Sequence, residues 1–154
     1  MLSQEKNPPL KLVVEAGLIP RMVEYLKSLL YPCLQFEAAW ALTNIAAGTS
    51  EQTRAMVEGG AIQPLFALLS SPNLAVCEQA MWALGGNIAG DGPEFRDKIT
   101  LSNAIPHLLA LITHILPITF LRNITWTLSN LCGNKNPYPC DTAVKQILPA
   151  LLHL

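Results

Sequence analysis

Three tryptophan–asparagine pairs carry the side chains best suited to chemistry on a peptide. "WALTNIAAG" puts Asn44 four residues after Trp40, "WTLSNLCGN" puts Asn130 four after Trp126, and "WALGGNIAGDG" puts Asn87 five after Trp82. An asparagine amide offers two N–H donors and an acceptor, so it can bond the N–H and C=O of an extended chain without reading its side chains. An indole face packs the stem of a lysine or arginine and attracts its charge by about 0.5–2 kcal/mol. Three residues before the tryptophans stand Glu37, Gln79 and Asn123. Helix positions i, i+3 and i+7 share a face, so polar–Trp–Asn forms one stripe around Trp40 and another around Trp126. Ala38, Ala41, Leu42 and Ile45 make a separate apolar face in the first copy. Core tryptophans with incidental helix-end asparagines would not place an amide beside an indole in every copy. Asp91 and Glu37 stand where carboxylates could fix a lysine ammonium. The expected ligand is a short, extended, basic peptide held on a ladder of asparagines.

These stripes need helices at a fixed period. The tryptophans lie 42 and 44 residues apart and the asparagines 43 and 43. Upstream, "AGLIPRMVEYL", "GGAIQPLFALL" and "SNAIPHLLALI" place Ile19, Ile62 and Ile105 again 43 apart, and "KQILPALLHL" is a weaker fourth copy. Each period reads as three helices. Short first helices are expected over 9–15, 50–58, 93–100 and 141–146, and apolar second helices over 19–29, 62–69, 105–112 and 148–154. Third helices bearing the Trp and Asn are expected over 34–47, 74–89 and 119–132. Gly17, Gly48, Gly60 and Gly90 fall near helix ends, where glycine relieves left-handed strain, and "SSPN" at 70 and "ILP" at 115 mark turns. A three-helix period near 43 is the armadillo signature. The expected fold is all-α: one armadillo solenoid over 1–154, a right-handed superhelix with repeats at about 8–48, 49–90 and 91–133 and a partial fourth at 134–154. Since a solenoid ordinarily ends in a polar cap, the apolar last helix reads as part of a longer array.

Composition narrows the function. The net charge of −1 argues against a nucleic-acid binder, and 51% hydrophobic residues argue against disorder. Residues 103–121 lack Asp, Glu, Lys and Arg, but Pro106, Pro117, His107 and His114 interrupt them. They read as a short buried helix and a loop, with no membrane role. Gln4, Glu5, Lys6 and two prolines break the first ten residues, which therefore do not form a secretory signal. Cys33, Cys77, Cys132 and Cys140 form no C-x-x-C pair, and the three histidines are scattered. Free cysteines packed as small apolar residues fit this pattern; no metal and no cofactor is expected. A thiol enzyme using Cys140 with His153 lacks a third residue to orient the pair, so no enzymatic activity is expected.

At this level of detail the wording itself is informative. "FEAAWALTNIAAGTSEQT", "EQAMWAL", "NIAGDGPEFRD" and "LRNITWTLSNLC" followed by "NKNP" closely resemble importin-alpha, the armadillo adaptor family that carries nuclear localisation signals. The resemblance spans essentially the whole chain and matches the family's early repeats, which hold its major signal-binding groove. It implies that Trp40, Trp82 and Trp126 form lysine and arginine pockets and that Asn44, Asn87 and Asn130 clamp the peptide backbone. Gly48, Thr53 and Asp91 would match the pocket for the signal's most critical lysine, with Gln79 and Asn123 in support. It further implies service in nuclear import between cytoplasm and nucleus. The family's basic importin-beta-binding segment and its later repeats have no counterpart here, so importin-beta is not expected to bind this chain alone. The rival expectation is a defective or structural armadillo fragment that self-associates or binds another extended peptide.

Two departures stand out. Gly133 replaces an arginine common before "NKNP", and the family's W-A-L-G-N here reads W-A-L-G-G-N. Four residues of α-helix leave an asparagine ~40° from its tryptophan, whereas five place it ~140° away. A regular helix would therefore turn Asn87 and Asp91 out of line. A π-bulge absorbs one extra residue, and a glycine pair tolerates irregular backbone. The expectation is a bulge at Gly85–Gly86 that returns Asn87 to the ladder, in a helix weakened by roughly 1 kcal/mol per glycine.

Overall fold

The computed structural model describes residues 10–112, 117–133 and 136–152. Every regular element among them is helical. The chain divides into two compact units, Met1–Ala83 and Leu84–Leu154.

Unit 1 contains α1 (Leu10–Glu15), α2 (Ile19–Leu26), α3 (Pro32–Ala46), α4 (Ser50–Glu58), α5 (Ile62–Leu68) and α6 (Leu74–Met81). Pro32 starts α3, where its missing N–H is an orphan anyway. A capping box starts α4: Gln52 N donates to Thr49 Oγ1 at 3.3 Å and Thr49 N to Gln52 Oε1 at 2.9 Å. Asn73 caps α6 by accepting from Ala75 N at 3.1 Å. Leu26, Leu42, Ile45, Met56 and Leu65 are fully buried between these helices. Gln35 is buried with them and donates to Leu26 O at 3.0 Å, which fastens α3 to the end of α2.

A π-helix (Trp82–Ile88) follows α6, and α7 (Ala89–Asp91), α8 (Pro93–Leu101), α9 (Ala104–Leu111), α10 (Ile118–Leu131) and α11 (Asp141–Leu151) come after it. The core of unit 2 is built from Ile88, Ile99, Phe120, Ile124, Leu128, Leu131 and Ile147. Arg96 is buried among them at 1% exposure. Its guanidinium donates to Gly133 O at 3.2 Å and Pro137 O at 2.9 Å, stapling the segment after α10 to α8.

The 43-residue period has a backbone counterpart. Gly17, Gly60 and Asn103 all adopt left-handed φ, at 68°, 81° and 64°, each two residues before the isoleucine of its repeat. Such a residue breaks the first helix from the second, and glycine and asparagine tolerate it best. The corresponding residue of the fourth copy is Gln146, which does not tolerate it. The helix expected over 141–146 and the described part of the one expected over 148–154 are accordingly joined in one helix, α11, with Pro149 inside it. The single helix expected over 74–89 is instead α6, the π-helix and α7 in sequence. Gly90 lies near the end of α7 as expected, but neither it nor Gly48 takes a left-handed φ. The first residue of the helix expected from 9, the turn at 115, His114 and His153 lie outside the described residues.

Candidate functional site

In unit 1, α3 supplies Trp40 and Asn44. Both are half-buried, and Trp40 stacks obliquely on Phe36 with ring centroids 5.9 Å apart. The Asn44 side chain makes no hydrogen bond among the described residues. The neighbouring helix contributes Gln79, whose Nε2 donates to Thr43 Oγ1 at 2.8 Å, while Thr43 donates to Ala39 O at 2.8 Å. Gln79 therefore points at α3 and is buried. Trp82 is 46% exposed, too open for a core tryptophan. Glu37 is exposed and opens onto a cleft of about 260 Å³ shared with Phe36 and Asn73.

Just beyond α3, Gly48 is exposed, and a side chain there would collide with Gln52 Oε1, which is held by the capping box. Thr53 has no exposed surface; its hydroxyl faces Ala46 O at 3.3 Å and Thr49 O at 3.4 Å. It braces the Gly48 turn from beneath and offers no surface to a ligand.

The extra glycine is absorbed as a full π-helical turn over Trp82–Ile88, longer than a bulge confined to Gly85–Gly86. In i→i+5 winding, residue i+5 takes up the place that i+4 holds in an α-helix. The device expected to return Asn87 to the ladder, a π-helical insertion, is thus present. Asn87 and Asp91 are both half-buried, and Asp91 ends α7 where extended Gly92 breaks the helix.

In unit 2, α10 supplies Asn123 and Asn130, both half-buried, and Trp126, 42% exposed. Trp126 lines an open cleft of about 370 Å³ with Leu121, Arg122, Thr125 and Ser129. Arg122 is exposed there, so this indole has a cation beside it, whereas Trp40 has Glu37 one turn earlier. Asn130 Nδ2 donates to Gly85 O at 2.8 Å and reaches Gly86 O at 3.4 Å. Sequence reasoning missed this bond, as it missed the Gln79–Thr43 bond and the packing of Thr127 directly on Gly85. The doublet Gly85–Gly86 was the available signal, since paired glycines admit close approach as well as irregular backbone.

The four cysteines are free. Burial, reinforced by Glu78, pushes the Cys77 thiol up to about 11 from its ordinary value near 9, and its Sγ donates to Leu69 O at 3.1 Å. Burial also raises Cys132. No group of three or more potential metal ligands occurs among the described residues, and none of their helices is long and apolar enough to cross a membrane.

Residues 34–85 match the HEAT-like repeat family and residues 93–133 the Armadillo/beta-catenin-like repeat family. The whole chain is 66% identical to "Importin subunit alpha-8" of Mus musculus, covering 31% of that protein. It is 49% identical to "Importin subunit alpha-2" of Arabidopsis thaliana, covering 28%. The chain thus spans about a third of the length of the curated relatives it matches. A designed armadillo repeat protein in complex with the peptide (KR)4 is similar in structure, with a TM-score of 0.79 at 25% identity over 97% of this chain and 59% of the other.

Proposed function

Because the chain belongs to the importin-alpha family of armadillo-repeat transport adaptors, which are not enzymes, we propose that it binds lysine- and arginine-rich nuclear localisation signals. The residues assigned to this task are Trp40, Asn44, Gly48, Gln79 and Trp82 in unit 1 and Asn87, Asp91, Asn123, Trp126 and Asn130 in unit 2. Gln79 and Asn123 act as supports, and Thr53 acts only by bracing Gly48. The observation that carries the reading is the exposure of two of the three indoles, Trp82 and Trp126: an apolar ring left 42–46% open on the same helix as an amide favours a ligand stem over a core neighbour. The family relationship and the (KR)4 complex of the designed neighbour support a basic peptide as that ligand. The setting is nuclear protein import, in cytoplasm and nucleus.

Isothermal titration with the peptide Pro-Lys-Lys-Lys-Arg-Lys-Val tests it. Trp40→Ala and Trp126→Ala should each weaken binding about tenfold, the scale of one cation–π contact plus lost packing, and a neutral peptide of equal length should not bind. Equal binding of both peptides would sink the proposal. Self-association is the rival, favoured by Leu148 and Leu152, which are 51% and 85% exposed on and just beyond α11. Light scattering that shows a growing mass with concentration would support it.

A further inference from the structure

Asn44 and Asn130 occupy the same place, four residues after Trp40 and Trp126, and both are half-buried. Their side chains are nevertheless in different states. That of Asn44 is uncommitted among the described residues, whereas Asn130 Nδ2 is bonded to Gly85 O at 2.8 Å with Gly86 O at 3.4 Å. Only the nitrogen end of a carboxamide donates, so two facing carbonyls decide which way round the group lies. Its Oδ1 makes no hydrogen bond among the described residues. The surroundings hold this arrangement in place. A Cβ at Gly90 would come within 3.3 Å of Nδ2, and one at Gly85 would strike the Thr127 side chain, three residues before Asn130 on α10. Glycines at both positions let α10 approach close enough for the amide to reach the π-helix.

We infer that Asn130 is a positioning residue that latches α10 to the π-helix, and that the latch turns this rung into an acceptor-only one. Its nitrogen is held by Gly85 and its oxygen is offered outward. At Asn44 an extended ligand gains from both its N–H and its C=O; at Asn130 it gains from its N–H alone. A ligand residue without an N–H, proline or an N-methylated residue, is selected against opposite Asn130. The ligand half rests on the peptide-binding reading above, while the latch does not.

The test has two arms. In the first, Asn130→Asp and Asn130→Ala are melted in the parent chain and in a version lacking Gly86. Aspartate keeps the shape but sets an acceptor against two carbonyls, so in the parent it should lower Tm more than alanine does. Without Gly86 the two variants should melt together. Equal effects in both backgrounds overturn the latch. Should Asn130→Asp fail to fold, Asn130→Ser, which still donates, should melt above Asn130→Ala in the parent alone. In the second arm the parent and Asn130→Ala are titrated with Pro-Lys-Lys-Lys-Arg-Lys-Val and with versions N-methylated at single residues. One methylated peptide should bind the parent at least tenfold more weakly than the plain peptide, and this penalty should vanish in Asn130→Ala. Identical penalties in both proteins overturn the acceptor-only rung. If the plain peptide does not bind the parent, the peptide-binding reading and the rung fall together, and melting still decides the latch.

Discussion

In unit 1 the joint between α3 and α6 is made by one side chain on another, Gln79 on Thr43. In unit 2 the joint between the π-helix and α10 is made by a side chain on backbone, Asn130 on Gly85. The two amides come from opposite ends of the motif, three residues before Trp82 and four residues after Trp126. A regular α-helix presents a neighbour with side chains, because its interior carbonyls are shielded and already bonded to their own i+4 N–H groups. A π-helical turn carrying two glycines lacks the side chains that would shield its carbonyls, and a neighbour's donor reaches their second lone pairs. The two joints thus draw on different amides of the motif, Gln79 before its tryptophan and Asn130 after its own.

The largest expected effect tests the backbone joint. Gly85→Ala ordinarily gains about 1 kcal/mol of helix propensity, but here the new methyl strikes Thr127. Overpacking of a rigid site costs about 1–3 kcal/mol, so unfolding in urea should show a net loss of up to about 2 kcal/mol. A gain would mean that α10 can withdraw and that the close approach is not needed.

The buried thiols sharpen the contrast through pH. The unfolded chain releases the Cys77 proton near pH 9, while the folded chain holds it to about 11. The unfolded state therefore binds fewer protons in that window, and stability falls as pH rises from 9 to 11. At about 1.4 kcal/mol per unit the loss is on the order of 2 kcal/mol, and Cys77→Ala should flatten the dependence. In the folded protein iodoacetamide should modify exposed Cys33 and Cys140 well before Cys77. Cys132, half-buried and raised by burial, should fall between them.

The side-chain joint is weaker. Gln79→Ala removes the hydrogen bond to Thr43 and should cost about 1–2 kcal/mol. Hydrogen exchange should rise in α3 and α6. A rise confined to unit 2 would contradict the joint.

The repeat was legible because it is written at several positions at once: Trp, Asn and Ile recur near 43 along the chain. The π-helix was legible too, since one extra residue between fixed neighbours leaves few regular solutions, though its length was not. The merging of the last two helices was hidden because the break depends on one backbone conformation. Gly17 and Gly60 announce that conformation, Asn103 disguises it, and Gln146 lacks it. The joints were hidden for another reason. Gln79–Thr43 spans 36 residues and Asn130–Gly85 spans 45; they arise from packing between helices, and helical phase within one element does not reveal them. Thr53 illustrates the limit, since its motif matches a ligand pocket while its surroundings close over it entirely.

The smallest effect separates shape from hydrogen bonding in the unit 2 joint. Thr127 is 1% exposed, and its Oγ1 has no hydrogen-bond partner among the described residues. The side chain packs on Gly85, so its volume is needed there, but its hydroxyl gains nothing in return for leaving water. Thr127→Val keeps the branched shape and removes the unsatisfied oxygen, so it should stabilise the chain by about 1 kcal/mol, read as a higher urea midpoint at unchanged slope. Thr127→Ser should do the reverse, keeping the oxygen and losing the methyl. If valine instead destabilised the chain, the hydroxyl would have to be bonded in solution, and the grip on Gly85 would then be polar as well as steric.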